Sequence, residues 1–441
     1  MVHSGNGFIQ RKDKMLLLLL HILIVFWIFS RSNLFRVYHV SPFVIPTILF
    51  LKVLGGFLIA KYYLSTYNGG DIFGYLSDAH QFQLLFKSSP RDFFKLMFGC
   101  NIEGESINIF YSKLTTWFTS GYSSQYNDAR SVIRFHALLS IFSNGNEWIH
   151  LIWSNVLCVA GMLALMRFFF YEDANTGTIP SYVFLIFFLP NVFIWSSSIL
   201  KEPLLIFALG MTLRYFQLWN MHRNLIYGLS LLFFIFCFVL IKSFWLLVLI
   251  PGLIIWMVFP KMKHPFKTIG FSYLCLLILV LTIGEFWPLL NLPDLLFGQQ
   301  RNMWRFAVFM KAGSLVHPVP FSPDVMSFLK HIPDAFAYGM FQPMPWQLAK
   351  WFYFPLFLEN LMFPFVWMVV FWKMKTTSLK INPPIIIAFI AGFIIVLISA
   401  YTTPVIGTLI RYRMPGLLLM ILALLSMIGN SIGRKSGASA I

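Results

Sequence analysis

Residues 225–259 read LIYGLSLLFFIFCFVLIKSFWLLVLIPGLIIWMVF, and Lys242 is the one charged residue in the run. About 20 apolar residues cross the hydrocarbon core of a bilayer, so the run is long enough for two crossings. Lys242 divides it near its middle. A helical hairpin with Lys242 at its tip is therefore expected in place of one very long helix; the plainer reading of the same lysine is a tip residue that stops a span.

The rest of the chain agrees. Of 441 residues, 58% are hydrophobic and 11% charged, and the mean hydropathy is +0.75. A soluble protein carries about a quarter charged residues, so the expectation is an all-α, polytopic membrane protein whose residues 1–441 form a single transmembrane domain. About eleven spans follow, at roughly 15–30, 43–63, 148–170, 181–199, 203–218, 225–241, 243–259, 268–290, 351–372, 383–401 and 414–430. Two long loops remain, 64–147 and 291–350. The apolar run at the N-terminus is followed by Arg31 and Arg36 instead of small residues, so it reads as a span and not as a cleaved signal. Many of the 50 Phe and 14 Trp fall near segment ends, where aromatic rings suit the interface. The four cysteines show neither disulfide nor metal spacing.

The net charge of +17 comes from 33 Lys+Arg against 16 Asp+Glu. These cations are scattered between spans, which argues for anionic headgroups or a phosphate-bearing substrate and against nucleic acid. Lys261, Lys263 and Lys267, then Lys373, Lys375 and Lys380, then Arg434 and Lys435 fall on one side of the segmentation. That side is assigned to the cytoplasm. Both long loops then face the extracytoplasmic side. Arg11, Lys12 and Lys14 conflict with this unless the first segment is incomplete.

The stretch Tyr67-Asn68-Gly69-Gly70-Asp71-Ile72-Phe73-Gly74-Tyr75-Leu76-Ser77-Asp78-Ala79 follows the second span. If helical, it puts Asp71, Tyr75 and Asp78 on one face, an arrangement able to bind a cation or accept a proton. The bland reading makes Asp71 a helix cap after a Gly-Gly turn. Farther on, the segments 88–98 and 128–139 look like interfacial helices that lie flat on the outer leaflet, with Asp128 as a cap.

Four more groups stand out. Ser196–Pro203 separates two apolar runs; Glu202 suits the positive end of the following helix. Lys201 would face the outer cavity. Burying either at mid-bilayer would cost about 2.5–3.5 kcal/mol, so a surface turn is expected. Arg301 and Arg305 share a helical face and could grip a phosphate or touch headgroups. Trp346 belongs to a rigid aromatic stretch suited to walling a sugar or lipid chain. Arg411 and Arg413 stand on the outside directly before the last span, so they either meet an anionic ligand or snorkel to lipid phosphate. No Walker, Rossmann, HExxH or zinc pattern is present.

Asp71, Tyr75, Asp78 and Ala79 after an early span resemble the first outer loop of GT-C membrane glycosyltransferases. Arg411-Tyr412-Arg413-Met414-Pro415 resembles a late element of bacterial members. The Lys201-Glu202 turn and the Pro343-Met344-Pro345-Trp346 stretch look similar to O-antigen and exopolysaccharide polymerases. The family's Asp usually follows the first span, whereas here it follows the second, and a soluble C-terminal domain is not recognisable. The resemblance implies a GT-C-like fold and transfer of a sugar from a polyprenyl-(di)phosphate donor to a glycan or lipid-linked acceptor. Asp71 or Asp78 would be the base or the ligand of a divalent cation, Mg or Mn. Tyr75, Lys201, Glu202, Arg301, Arg305, Trp346, Arg411 and Arg413 would bind substrate. A polymerase stays open, as does a lipid-linked substrate transporter or flippase, which should show discontinuous helices or repeats.

Overall fold

The computed structural model describes residues 4–37, 40–100, 105–117, 128–170, 179–347, 351–376 and 381–438. Lys380 lies outside them. The described chain is helical, with no strand and one isolated bridge between Leu315 and Val405. In chain order the helices are α1 (Ser4–Arg31), α2 (Val44–Tyr67), α3 (Asp71–Ser88), α4 (Pro90–Met97), α5 (Glu105–Ser112), α6 (Asp128–Ser143) and α7 (Glu147–Phe169). There follow α8 (Pro190–Ser196), α9 (Lys201–His222), α10 (Leu225–Val258), α11 (Pro265–Phe286) and α12 (Leu292–Phe309). The chain ends with α13 (Val325–Lys330), α14 (Ile332–Phe341), α15 (Phe354–Thr376), α16 (Pro383–Thr402) and α17 (Ile406–Ala438).

Eight helices among the described residues are long and apolar enough to cross a membrane, or nine spans if the bent pair α8 and α9 counts as one. That is fewer than the eleven read from hydropathy. The segment 181–199 is the clearest correction. It forms a 3-10 helix, Ser181–Phe188, followed by the short α8. Pro190 restricts the residue before it and starts a new helix. At about 2.0 and 1.5 Å per residue neither piece approaches the ~30 Å of a bilayer core. The stretch 225–259 is one helical element, broken where Lys242 adopts φ −157°, ψ 74°. The last span begins at Ile406, so Arg411 and Arg413 lie inside it instead of before it.

The chain divides into two units, one of residues 1–165 with 193–243, the other of 166–192 with 244–441. In the first, α3 packs on α6 and α6 on α9. Backbones of α7 and α9 nearly touch, since a Cβ on Gly210 would stand 2.0 Å from the Gly161 carbonyl oxygen. In the second unit α16 and α17 form the main pair, with α14, α12 and α11 against α16 and α15 against α17. Polar residues are few on the outer surface of the spans, where Leu19, Leu23, Phe26, Leu232, Phe236 and Phe271 are exposed. An apolar exterior of this kind matches hydrocarbon as its solvent.

The first long loop is mostly helix. Of its two expected interfacial segments, α4 keeps Phe94 exposed beside buried Phe93 and Leu96. The other, α6, packs one face into the unit, with Val132, Ile133, His136, Ala137, Ser140 and Ser143 buried, and keeps Leu138 and Phe142 exposed.

Candidate functional site

The chain between Ser196 and Lys201 leaves the helix, and α8 and α9 meet there at 110°. A break inside an apolar segment frees backbone groups that lipid cannot satisfy, so protein must. Ser196, Ser197 and Ser198 are fully buried. Lys52, from the middle of α2 and itself fully buried, donates from Nζ to Ser196 Oγ at 2.8 Å and to Ser197 Oγ at 3.0 Å. Asn155 of α7 donates to the Ser197 carbonyl at 2.8 Å. Gly56 of α2 leaves room for that carbonyl, because a Cβ there would stand 2.0 Å from it. The break is thus held by polar groups from two neighbouring helices.

Directly after the break, Lys201 opens α9. Its Nζ lies 2.6 Å from Asp128 Oδ2, and Lys242 Nζ reaches the same oxygen at 3.0 Å. Asp128 opens α6, and its Oδ1 accepts from the Ala129 N–H at 2.9 Å. Two ammoniums therefore converge on one carboxylate from three elements, and the group carries a net positive charge. Burial pushes the Asp128 carboxyl up. The Lys201 and Lys242 ammoniums, by charge and by hydrogen bond, outweigh burial and hold it well below the usual carboxylate range. Lys201 and Glu202 are buried, at 7% and 2% exposure. This corrects the surface turn expected from their sequence: for Lys201 the insertion cost is offset by pairing with Asp128.

Asp78 has a role that its spacing from Asp71 did not reveal. Its carboxylate is fully buried and accepts the backbone N–H of Thr115 at 2.9 Å, of Thr116 at 2.9 Å and of Trp117 at 2.7 Å, with the Thr115 hydroxyl at 3.2 Å. That segment in turn seats the guanidiniums of Arg130 and Arg134, each 5.0 Å from the Trp117 ring. Arg130 also donates from Nε to the Trp117 carbonyl at 3.0 Å. Asp78 thus organises the chain that leads into α6 and is not presented to a substrate. Tyr75 is buried on the same helix, whereas Asp71 is exposed. The two aspartates do not share an open face. Gln83, farther along α3, donates to the Ser140 carbonyl of α6 at 3.0 Å. Together with the Asp78–Trp117–Arg130 chain, this runs α3 and α6 in the same direction. Asp71 and Asp128, the first residues of the two helices, come to the same end of the pair.

The remaining expected site residues belong to the other unit. Arg413 is 1% exposed and donates to the Gly339 carbonyl, to the Met340 carbonyl at 3.0 Å and to Asn360 Oδ1 at 2.7 Å. It caps the last carbonyls of α14, as cations favour. Asn360 itself donates to the Phe341 and Gln342 carbonyls, and Glu359 Oε2 accepts from the Asn191 N–H at 2.6 Å. Arg413 is a buried structural arginine and not an outer phosphate grip. Arg411 is half-buried two residues earlier on α17. Arg301 and Arg305 are exposed on α12, and Trp346 is 76% exposed in a short 3-10 turn, Pro345–Gln347.

Asp128 was legible only as a cap, and Lys52 carried no signal beyond being a lysine within an apolar span. A second buried cluster was also missed. His136 Nδ1 lies 3.0 Å from His150 Nδ1, and His150 Nε2 lies 2.8 Å from Ser143 Oγ. Burial, then the neighbouring His150, pushes the His136 imidazole well down, toward its neutral form. Among the described residues no group of three or more His, Cys, Asp or Glu side chains could hold a metal ion.

These features define an all-helical, multi-pass membrane protein with a polar helix break in one of its units, beside two lysines that share one aspartate. Compared with known proteins, the chain matches no family profile, no curated protein and no solved structure.

Proposed function

We propose that the chain is a membrane glycosyltransferase that moves a sugar from a polyprenyl-(di)phosphate donor to a glycan or lipid-linked acceptor. The observation that carries this reading is the convergence of Lys201 and Lys242 on Asp128 beside a helix break. A leaving phosphate develops negative charge as the glycosidic bond breaks. Fixed cations in a site of low dielectric stabilise that charge without reorganising. Asp128 clamps both lysines in advance, and the first-turn amides of α9 add positive potential. Asp71, exposed at the same end of the α3 and α6 pair, takes the acceptor hydroxyl proton. The freed oxygen attacks the sugar carbon, and the carbon–phosphate oxygen bond breaks toward the lysines. A divalent ion, Mg or Mn, would enter with the phosphates. With the basic short loops at Lys261, Lys263, Lys267 and Lys373 on the cytoplasmic side, the site would open to the extracytoplasmic face of an inner membrane. A polymerase differs from this scheme only in using a growing glycan as acceptor.

One observation favours a second reading. The 110° break between α8 and α9 is the kind of discontinuous helix that secondary transporters use to bind anionic substrate groups.

Reconstitution into vesicles with a polyprenyl-phosphate sugar and a glycan acceptor separates the two. Transferase activity appears as a new glycosidic product by mass spectrometry, lowered on the order of 10²-fold by Asp71→Asn and strongly by Lys201→Met. Movement of the donor between leaflets with no product supports the transporter. Normal turnover by Asp71→Asn removes it as the base.

A further inference from the structure

Helix α12 divides into three stripes. Advancing roughly 100° per residue, Pro293, Leu296, Gln300 and Ala307 fall within one narrow sector, and these are its buried residues. Leu295, Phe306 and Phe309 fall in a second sector and are 52%, 51% and 81% exposed, with exposed Asn302 the one polar residue among them. Arg301 and Arg305 form a third, also exposed, with Arg301 resting 5.8 Å over the Phe297 ring. A helix immersed only in water has no use for the second stripe.

The neighbours of α12 give its level. Asn291, the residue before it, packs against Gly284 near the end of the span α11; a Cβ on that glycine would stand 2.8 Å from the Asn291 Cα. Gln300, in its middle, donates at 2.8 Å to the carbonyl of Tyr401, next to the last residue of the span α16. So α12 begins at the end of one span and passes across the end of another. A helix laid across span ends lies in the plane of the membrane surface. Phe286, Trp287 and Leu289, just before it, are 86%, 65% and 82% exposed and continue the apolar surface.

We propose that α12 is an interfacial helix whose Leu295, Phe306 and Phe309 stripe enters the acyl region while Arg301 and Arg305 bind the phosphates of anionic phospholipid headgroups. Spaced four apart, the two guanidiniums lie one turn from each other, each able to take a phosphate in bidentate fashion. Asp294 shares their sector two turns earlier, at the helix start, where its charge meets the helix dipole; the stripe stays net positive. The lipid bound here is structural, distinct from any substrate at Asp128.

The test uses the full chain in bilayer nanodiscs of phosphatidylcholine with phosphatidylglycerol. A nitroxide attached through Phe309→Cys should collide with oxygen and be shielded from a water-soluble nickel relaxant; the reverse pattern overturns the proposal. Lipid co-purifying with the wild type should be enriched in phosphatidylglycerol. Arg301→Gln with Arg305→Gln should lower that enrichment roughly 10- to 30-fold. An unchanged enrichment, or its loss to millimolar inorganic phosphate, overturns headgroup recognition. The nitroxide measurement is made with Cys100, Cys237 and Cys275 replaced by Ser and both arginines in place, so it decides the matter even where the double arginine variant fails to fold.

Discussion

Asp128→Asn isolates the ion cluster with little other disturbance. Asn caps a helix about as well as Asp, so the contact with the Ala129 N–H survives while the charge goes. At an effective dielectric of 20, each lysine at 2.6 or 3.0 Å gains about 6 kcal/mol from the carboxylate, and the two ammoniums, within about 6 Å of each other, repel by about 3 kcal/mol. Desolvation of three ions offsets most of the surplus. Removing the carboxylate deletes the attraction but leaves the repulsion and the desolvation. The expected net loss is therefore that of breaking a buried pair, about 3–5 kcal/mol. For a unit of this size that lowers the melting temperature by roughly 6–20 °C, measured by thiol-dye or intrinsic-fluorescence melting in detergent. Adding Lys242→Met to Asp128→Asn should restore part of the loss. The sign with pH follows from the depressed carboxyl. Its contribution is complete above the ordinary carboxylate range, near 4, and is lost only as pH falls toward the lower folded value. The gap between wild type and variant should hold from about pH 8 to 5 and shrink below about 4. A melting temperature unchanged by Asp128→Asn would refute the reasoning, since it would mean the lysines are solvated without it.

Asp78→Asn places an amide where three backbone N–H groups point; a loss of about 1–3 kcal/mol is expected, with turnover per folded molecule preserved, and a selective loss of turnover would return Asp78 to the catalytic group. Arg413→Lys should be a poor substitute, because a single nitrogen cannot stand where both Nη1 and Nη2 of the planar fork reach the Gly339, Met340 and Asn360 acceptors; a melting temperature equal to wild type would contradict the buried role. Gly56→Ala drives a methyl against the Ser197 carbonyl and should cost about 1–3 kcal/mol as overpacking, seen as a lower melting temperature and as new protease cleavage near the break; an unaltered digest would show that the clamp is not tight.

Membership of the membrane class, the positions of most spans and the interruption at Lys242 were legible in the sequence alone. The physical reason is that transfer into hydrocarbon depends on composition summed along some twenty residues, and hydropathy is local. The break before Lys201 was legible too, from Ser196-Ser197-Ser198 and Pro203. Which polar residues meet was decided only by tertiary structure. Asp71 and Asp78 share a helix face by spacing, yet the Thr115–Trp117 segment covers one and leaves the other exposed. Arg411 and Arg413 look alike in sequence, but two residues on a helix point to different sides, and the carbonyls of α14 claim the second. Asp128, Lys201 and Lys242 come from three elements far apart in the chain. Nothing in local pattern couples them, because the attraction that joins them acts through space after α6, α9 and α10 have packed.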